Sequence, residues 1–238
     1  MTEHLIAATR TVIPACDVDE VGLRELVAAT CDLDGVGAYK LGFVSALSIG
    51  LPEAVRIIRH VSDKPIIYDH QKAGTDIPDT GLAFARIVRR AGVDAVILFP
   101  FAGPIVETKW IQAAQQEGMG VIVGALMPHD QFLARDGGFV AEEAIQRIFD
   151  IAISQGVRDF VVPATKPKQV ERIRSAIDAA GAGLEATFYF PGFGVQGGEI
   201  SLVTQVAGPR WHAIVGRAIY EEADMRAATI ALSRQMQH

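Results

Sequence analysis

The sequence alternates short apolar runs with longer amphipathic segments eight times along its length. Most of the apolar runs are unbroken, which is typical of parallel strands that are buried on both faces. The predicted strands cover residues 12–16, 38–41, 65–68, 95–99, 120–125, 159–162, 186–190 and 213–215. The helical patterns between and after them cover residues 20–29, 51–60, 80–91, 104–117, 140–155, 168–180, 200–206 and 225–235. Glycines follow several predicted helices, and Asp79 or Thr80 is expected to cap the third.

Eight strand–helix units in a chain of 238 residues predict a (β/α)8 TIM barrel. A doubly wound open sheet is the alternative, because hydrophobic periodicity does not reveal whether the sheet closes on itself. No linker, charge run or composition shift divides the chain, so residues 1–238 are interpreted as a single domain.

Composition and net charge limit which partners and which cellular compartment the sequence predicts. A net charge of −6 and a pI of about 5.5 argue against nucleic-acid or anionic-membrane partners, which favour a basic face. Cys16 and Cys31 form neither a metal-ligand pattern nor a disulfide framework. The N-terminus lacks a secretory pattern, and no apolar run reaches the roughly 20 residues that span a bilayer. The sequence therefore predicts a cytoplasmic protein.

Charged residues cluster where the first three predicted strands end. Asp17 follows the first strand, Lys40 lies in the second, and Asp69, Lys72 and Asp76 follow the third. Carboxyl ends of parallel strands meet at one barrel mouth, so these groups are expected to converge there. A lysine between carboxylates stays charged and can donate a proton. The alternatives are a surface ion pair and, for Lys40, a side chain that extends outward to solvent.

A second cluster follows the last two predicted strands. Four glycines lie within residues 192–198, and Gly216 and Arg217 follow the eighth strand. Loops after strands seven and eight of a barrel often bind phosphate, and a guanidinium suits that ligand. Tight turns and a surface cation are the simpler explanation. No Walker-type loop, dinucleotide fingerprint or metal-ligand spacing occurs, so no metal site is predicted.

Six motifs in one order resemble orotidine 5′-phosphate decarboxylases, and they run from Asp17 to Tyr220. The family's Asp-x-Lys-x-x-Asp-Ile-Pro-x-Thr signature is similar to residues 69–80. The other similar segments are Asp17 at a strand end, Tyr39-Lys40-Leu41-Gly42, Phe101-Ala102-Gly103, the Pro-Gly…Gln-Gly-Gly loop at 191–198, and Val-Gly-Arg-x-Ile-Tyr at 215–220.

The resemblance implies a homodimeric barrel that converts orotidine 5′-phosphate to uridine 5′-phosphate and carbon dioxide in pyrimidine biosynthesis. It implies no metal and no organic cofactor. Lys72 would donate a proton to the ring carbon that loses its carboxylate, and Asp69 would lie near that carboxylate. Asp76, supplied by the partner subunit, would hold Lys72 in place together with Lys40 and Asp69.

The resemblance also implies a set of substrate-binding residues. Asp17 and Thr80 would contact ribose hydroxyls, Thr80 from the partner subunit, and Ile77 is a further substrate contact. Three residues would bind phosphate, with Gly197 beside them in the same loop: Gln196, Gly216 and Arg217.

Two departures from the family pattern bear on function. His70 and Gln71 separate Asp69 from Lys72 where the family has one residue. Either the backbone bulges so that Asp69 still faces the substrate, or His70 takes the position of the family's first acid. Pro128 replaces a serine that contacts the pyrimidine, in an irregular stretch at 127–139 that is either a lid or a solvated insertion. Two alternative functions stay open: a metal-dependent sugar-phosphate decarboxylase or aldolase on the same barrel, and a non-catalytic nucleotide-phosphate binding protein.

Overall fold

The structure is a computed structural model that describes residues 4–70, 76–179, 186–192 and 205–236. Every strand pairs in parallel with its neighbours, in the order β1-β8-β7-β6-β5-β4-β3-β2. The strands are β1 (Arg10–Pro14), β2 (Tyr39–Leu41), β3 (Ile66–Asp69), β4 (Ala95–Leu98), β5 (Gly120–Gly124), β6 (Asp159–Val161), β7 (Thr187–Pro191) and β8 (Trp211–Val215).

Short bridges between β1 and β2 bring the two ends of the sheet together. Val12 bridges Val36 and Ala15 bridges Lys40, both in parallel. The Cys16 N–H also donates a 2.8 Å hydrogen bond to the Lys40 carbonyl. The predicted barrel is therefore confirmed, and the alternative of an open doubly wound sheet is wrong.

The helices alternate with the strands as predicted, with small shifts at their ends. Their bounds are α1 (Glu20–Thr30), α2 (Leu51–Arg59), α3 (Thr80–Arg90), α4 (Pro104–Gln116), α5 (Glu142–Ser154), α6 (Pro167–Ala179), α7 (Arg217–Tyr220) and α8 (Met225–Gln235). A three-residue helix and a π-helix, Phe43–Ser45 and Ala46–Gly50, precede α2. Of the helix predicted at 200–206, residues 200–204 lie outside the described part of the chain, and residues 205–206 are helical.

Strand β8 begins two residues before its predicted start. Trp211 and His212 pair with Arg10 and Thr11 of β1. The side chains of Trp211 and His212 are fully buried. The polar His212 broke the apolar run that the prediction relied on. Pairing with the neighbouring strand, rather than local hydrophobicity, decides where β8 begins.

Helix ends follow the glycine prediction but not the capping prediction. Gly92 and Gly118 follow α3 and α4 with φ of 92° and 73°, a conformation that favours glycine. Asp79 precedes α3 in an αR conformation and makes no side-chain cap, because a capping residue needs an extended backbone. The Thr80 hydroxyl instead donates to the Ile77 carbonyl at 2.8 Å.

Two hydrophobic layers fill the barrel and its surroundings. Alternate strand residues such as Ile13, Ile67 and Ile214 form the interior layer. Their neighbours, such as Val12 and Tyr68, pack against the helices. Side chains alternate between the two faces of a strand, so the parity of a residue at a strand end decides whether it reaches the mouth.

Across the described helices, none is both long enough and apolar enough to cross a membrane.

Candidate active site

Three charged side chains extend the inward register of three neighbouring strands to the mouth of the barrel. Each lies two residues after a residue of the interior layer: Asp17 after Ala15, Lys40 after Ala38, and Asp69 after Ile67. Because the strands are adjacent and parallel, the three side chains meet at one edge of the ring.

Lys40 lies between the two carboxylates. Its Nζ is 3.1 Å from Asp69 Oδ2 and 3.7 Å from Asp17 Oδ2, and its side chain is only 8% exposed. The alternative of an outward-extending Lys40 is therefore wrong. Burial lowers the pKa of Lys40, but the Asp69 and Asp17 carboxylates outweigh burial, so the pKa is raised above its ordinary value. Lys40 stays charged at neutral pH.

Local packing holds this cluster together. A Cβ added at Gly42 would collide with Asp17 Oδ1, so glycine is what allows Asp17 to approach Lys40. The Ser45 hydroxyl donates to the Cys16 carbonyl and fixes the chain just before Asp17. Burial raises the pKa of the Cys16 thiol to about 12, so this cysteine stays protonated and is no nucleophile.

One carboxylate oxygen of Asp69 has no hydrogen-bond partner among the described residues. The Asp69 side chain is 10% exposed, and this oxygen is Oδ1. Two carboxylates and one ammonium leave the cluster with one unit of negative charge. A buried carboxylate oxygen without a partner is costly, so this position is suited to a further cationic donor.

Asp69, and not His70, reaches the mouth. His70 has the opposite parity, and its Nδ1 is hydrogen-bonded to the Tyr68 hydroxyl at 2.7 Å. Its ring lies 6.4 Å from that of Phe84 on α3. His70 therefore packs on the helical side of the sheet, and Asp69 is the one of the two that lies beside Lys40.

Three of the predicted site residues lie outside the part of the chain that the structure describes: Lys72, Gln196 and Gly197. The same holds for residues 71–75, in which that backbone bulge would lie.

Asp76 and Ile77 lie in the loop before α3, Thr80 is the first residue of α3, and none of the three contacts the Asp17–Lys40–Asp69 cluster in the structure. Asp76 is exposed, and its carboxylate accepts the Ile77 N–H at 2.7 Å. The Ile77 side chain is 59% exposed. The indole of Trp110 on α4 donates to the Ile77 carbonyl at 3.1 Å and thereby anchors the loop.

Trp110 is a positioning residue that the sequence analysis missed. A Cβ added at Gly81 would lie 2.9 Å from the Trp110 ring, so a glycine in the first turn of α3 lets the indole approach. That glycine, unusual inside a helix, was the signal available in the sequence.

Gly216 and Arg217 lie at the end of β8, beside the end of β1. A Cβ added at Gly216 would lie 3.7 Å from Ala15 Cβ and 3.2 Å from Tyr220 Cε1. The proximity of Gly216 to Ala15, two residues before Asp17, places this turn on the Asp17 side of the mouth. Burial first and the Asp17 charge second raise the pKa of the Tyr220 hydroxyl. Arg217 is exposed and has no ion-pair partner among the described residues, so it can bind an anion.

Two further features bear on ligands. Among the described residues, no group of three or more His, Cys, Asp or Glu side chains could hold a metal ion. The 127–139 stretch contains a 3-10 turn, Ala134–Asp136, and a bridge pairs its Leu133 with Val140, the residue that follows the stretch. Pro128 lies near its start, four residues after the last residue of β5.

Comparison with known proteins gives one consistent family. Residues 10–232 match the family model described as "Orotidine 5'-phosphate decarboxylase / HUMPS family". An orotidine 5′-phosphate decarboxylase of Methanosarcina mazei is 34% identical over 203 residues, which are 85% of this chain and 84% of that protein. The enzyme of the same name from Methanosarcina barkeri is 36% identical over 206 residues, with the same shares covered.

Solved structures of the same name share the fold. The crystal structure of orotidine 5′-monophosphate decarboxylase from Methanocaldococcus jannaschii, complexed with the inhibitor BMP, superposes with a TM-score of 0.82. It is 24% identical and covers 97% of this chain and 100% of its own. The Pyrococcus horikoshii enzyme gives a TM-score of 0.76 at 25% identity, covering 96% of this chain and 100% of its own.

Proposed function

The chain belongs to the orotidine 5′-phosphate decarboxylase / HUMPS family, and from that premise we propose how its side chains act on orotidine 5′-phosphate. Membership and the relatives' names support an enzyme of the carboxy-lyase class that forms uridine 5′-phosphate in pyrimidine biosynthesis. Two free cysteines and a role in nucleotide synthesis suit the reducing cytoplasm, which is the compartment we propose.

The Asp17–Lys40–Asp69 cluster is the observation that carries the mechanism. Lys40 and Asp69 are largely buried, whereas the Asp17 side chain is 36% exposed. The charges alternate, the cluster is one positive charge short, and Asp69 Oδ1 has no partner among the described residues. Lys72 is the next cation along the chain, three residues after Asp69. We assign its ammonium to Asp69 Oδ1, where it would complete the alternation and point into the mouth.

The decarboxylation needs a proton donor and an electrostatic field from charges that are fixed in place. The bond between the pyrimidine ring and its carboxylate breaks, carbon dioxide leaves, and the electron pair remains on the ring carbon. The Lys72 ammonium supplies the proton that this carbon takes up. Asp69 lies beside the departing carboxylate and keeps Lys72 charged. Charges that are already in place stabilise the developing carbanion without rearrangement of solvent, so no metal or organic cofactor takes part in the proposed mechanism.

Binding of the substrate's phosphate group holds the pyrimidine ring in place. Gly216 and Arg217 lie at the mouth beside β1, and Gln196 and Gly197 are assigned to the same phosphate site. Binding energy from this distant group can be used to position the reacting ring. Arg217→Ala is expected to weaken uridine 5′-phosphate binding by about 1.5–3 kcal/mol and leave uridine binding unchanged. Equal weakening of both ligands would contradict the assignment.

A homodimer would explain the position of Asp76, Ile77 and Thr80 at the start of α3. These residues stay away from the cluster of their own chain, and exposed apolar side chains surround the same edge of the barrel. They follow three neighbouring strands, β2 to β4: Phe43, Leu47, Ile77 and Ile105. We propose that this edge is the dimer interface and that Asp76, Ile77 and Thr80 complete the site of the partner subunit.

A complementation experiment tests the shared site. Lys72→Ala and Asp76→Ala homodimers should each be inactive. After the two are unfolded and refolded together in equal amounts, half of the dimers are mixed, and each mixed dimer has one intact site. About a quarter of wild-type activity should return. No recovery, with mixed dimers demonstrated by mass spectrometry, would show that both residues act within one chain.

The decarboxylase proposal is tested by Lys72→Ala against a matched control, Lys109→Ala, which removes an exposed lysine of α4. The absorbance decrease with orotidine 5′-phosphate and the affinity for uridine 5′-phosphate are measured for both. Lys72→Ala should lose turnover and still bind uridine 5′-phosphate, while Lys109→Ala should match the wild type. Near-normal turnover of Lys72→Ala would rule out the proton-donor role.

A further inference from the structure

Four aromatic rings form a continuous row on the outer side of β3, here called the aromatic row: Tyr68, His70, Phe84 and Trp110. The ring centroids are 5.5 Å apart for Tyr68 and His70 and 6.4 Å apart for His70 and Phe84. Those of Phe84 and Trp110 are 4.9 Å apart. The row runs from β3 to α3 and α4, so it connects the strand that carries Asp69 with both helices.

The β-ladder holds Asp69 less firmly than it holds the middle of β3. Asp69 is the last residue of the strand, and its pair with Ile97 is the last one on the β4 side. On the β2 side, the last pair is one residue earlier, at Tyr68. Strand ends with few ladder bonds open most easily. The inward position of Asp69 therefore depends on contacts outside the ladder.

The Tyr68–His70 hydrogen bond supplies such a contact. These two residues flank Asp69 in the sequence, and both side chains point outward while Asp69 points inward. The Tyr68 hydroxyl and His70 Nδ1 are 2.7 Å apart. A bond between the side chains before and after Asp69 fixes both on the outer face, so Asp69 stays beside Lys40, whose Nζ is 3.1 Å away.

The other end of the row holds the loop before α3. The Trp110 indole donates to the Ile77 carbonyl at 3.1 Å, and its ring lies against Phe84. Asp76 directly precedes Ile77, and we assigned it to the site of the partner subunit. The row thus contacts the chain at both ends of the connection from Asp69 to Asp76. That connection is longer than in the family pattern, and fixed ends lower the entropic cost of holding it in one geometry.

From this geometry, we propose that Tyr68, His70 and Trp110 are positioning residues for the decarboxylation, with Phe84 as the link between them. They hold Asp69 inward and fix the loop at Asp76 without touching the substrate. This inference rests on the proposed function, because it concerns the geometry of that site. Charges that must be in place before the reaction lose much of their effect when they are displaced by a fraction of an ångström.

Tyr68→Phe tests the first contact, because it removes the hydroxyl and keeps the ring. Thr11→Val is the matched control, since it removes another hydroxyl bonded to a histidine Nδ1, the 2.8 Å contact with His212 at the opposite end of the barrel. Both variants should lower the midpoint of urea unfolding by similar amounts. Only Tyr68→Phe should also lower kcat for orotidine 5′-phosphate by at least about tenfold, with the Kd for uridine 5′-phosphate changed by less than about threefold.

Two further comparisons separate the hydrogen bonds from the packing of the rings. His70→Asn keeps a hydrogen-bonding atom near the position of Nδ1 and His70→Leu does not, so kcat of the Asn variant should be at least about fivefold higher. Trp110→Phe keeps a ring against Phe84 and loses the donor to Ile77. It should lower kcat by about tenfold with the Kd for uridine 5′-phosphate unchanged.

The proposal is overturned if Tyr68→Phe turns over at the wild-type rate, or if Thr11→Val loses as much kcat as Tyr68→Phe, since the loss would then follow from stability. Equal kcat values for His70→Asn and His70→Leu would also overturn it. A wild type that does not turn over orotidine 5′-phosphate overturns the proposed function together with this inference. Normal turnover by the wild type with unaffected variants overturns this inference alone, so the two failures are distinguishable.

Discussion

The two ends of the barrel both contain buried polar groups, but they stabilise opposite charge states. At the C-terminal mouth, two carboxylates raise the pKa of Lys40 and keep it charged. At the N-terminal end, burial followed by the charge of Arg210 lowers the pKa of His212 to about 3 and keeps it neutral. The same fold thus keeps Lys40 charged at one end and His212 neutral at the other.

Hydrogen bonding at the N-terminal end fits this contrast. Thr11 Oγ1 and His212 Nδ1 are 2.8 Å apart, so β1 and β8 are joined by a neutral pair. The Tyr189 hydroxyl donates to Asp159 at 2.9 Å, and burial raises the pKa of that carboxyl to about 6. The guanidinium of Arg210 donates to three backbone carbonyls, those of Ile6, Ala7 and Ala8. These bonds tie the strands and the N-terminal segment together.

This difference between the two ends of the barrel indicates which end holds the candidate active site. At the N-terminal end, Thr11, Asp159 and Arg210 are bound to neighbouring side chains or to the backbone, while His212 Nε2 has no partner among the described residues. The mouth instead carries uncompensated charge and a carboxylate oxygen, Asp69 Oδ1, without a partner among the described residues. Such an arrangement costs stability and is typical of a site that acts on a ligand.

The largest expected effect comes from removing the central cation of the mouth. Lys40→Met leaves Asp69 and Asp17 facing each other without a counter-charge, and loss of one partner of a buried pair costs about 3–5 kcal/mol. Urea unfolding should show that loss, and turnover should fall by about 100-fold or more. Lys109→Met is the exposed control. A loss below about 1 kcal/mol would mean that the cluster is solvated.

The neutral histidine at the other end predicts acid sensitivity. As pH falls below 6.5, unfolded chains protonate His212, whereas the folded chain with a pKa of about 3 does not. Its contribution to stability is therefore complete above pH 6.5 and declines toward pH 3. Between pH 7 and pH 5, the wild type should lose about 2 kcal/mol more than His212→Gln. Parallel urea curves at both pH values would contradict a depressed pKa.

The smallest expected effect is a loss of stability that leaves activity nearly unchanged. Thr11→Val keeps the side-chain shape but leaves His212 Nδ1 without its partner, at a cost of about 1–3 kcal/mol. Because Thr11 lies at the end away from the mouth, kcat should stay within about twofold of the wild type. A large fall in kcat at unchanged stability would mean that the N-terminal end takes part in catalysis.

The sequence predicted the barrel and the convergence of three charged residues because both depend on local periodicity. Strand parity alone places Asp17, Lys40 and Asp69 on inward positions once the strands are known. Boundaries were less predictable. The polar His212 concealed the start of β8, and Asp79 does not cap α3 because its backbone is αR rather than extended.

Contacts between distant segments could not be predicted. The Trp110 indole donates a hydrogen bond to the Ile77 carbonyl, 33 residues away in the sequence, and no local sequence pattern predicts that bond. The acid Glu107, in the polar-looking first turns of α4, is 1% exposed, and burial raises its pKa to about 8. Neither fact follows from periodicity, since both depend on how α4 packs against its neighbours.

The most direct test of a cofactor-free charge cluster at the mouth is the absorbance decrease of orotidine 5′-phosphate with chelator-treated protein. The account predicts full turnover after chelation, with no gain when Mg²⁺ or Zn²⁺ is added back. Activity that disappears on chelation and returns with a metal would contradict it and favour a metal-dependent sugar-phosphate enzyme. Binding of uridine 5′-phosphate without any turnover would reduce the protein to a nucleotide-phosphate binder.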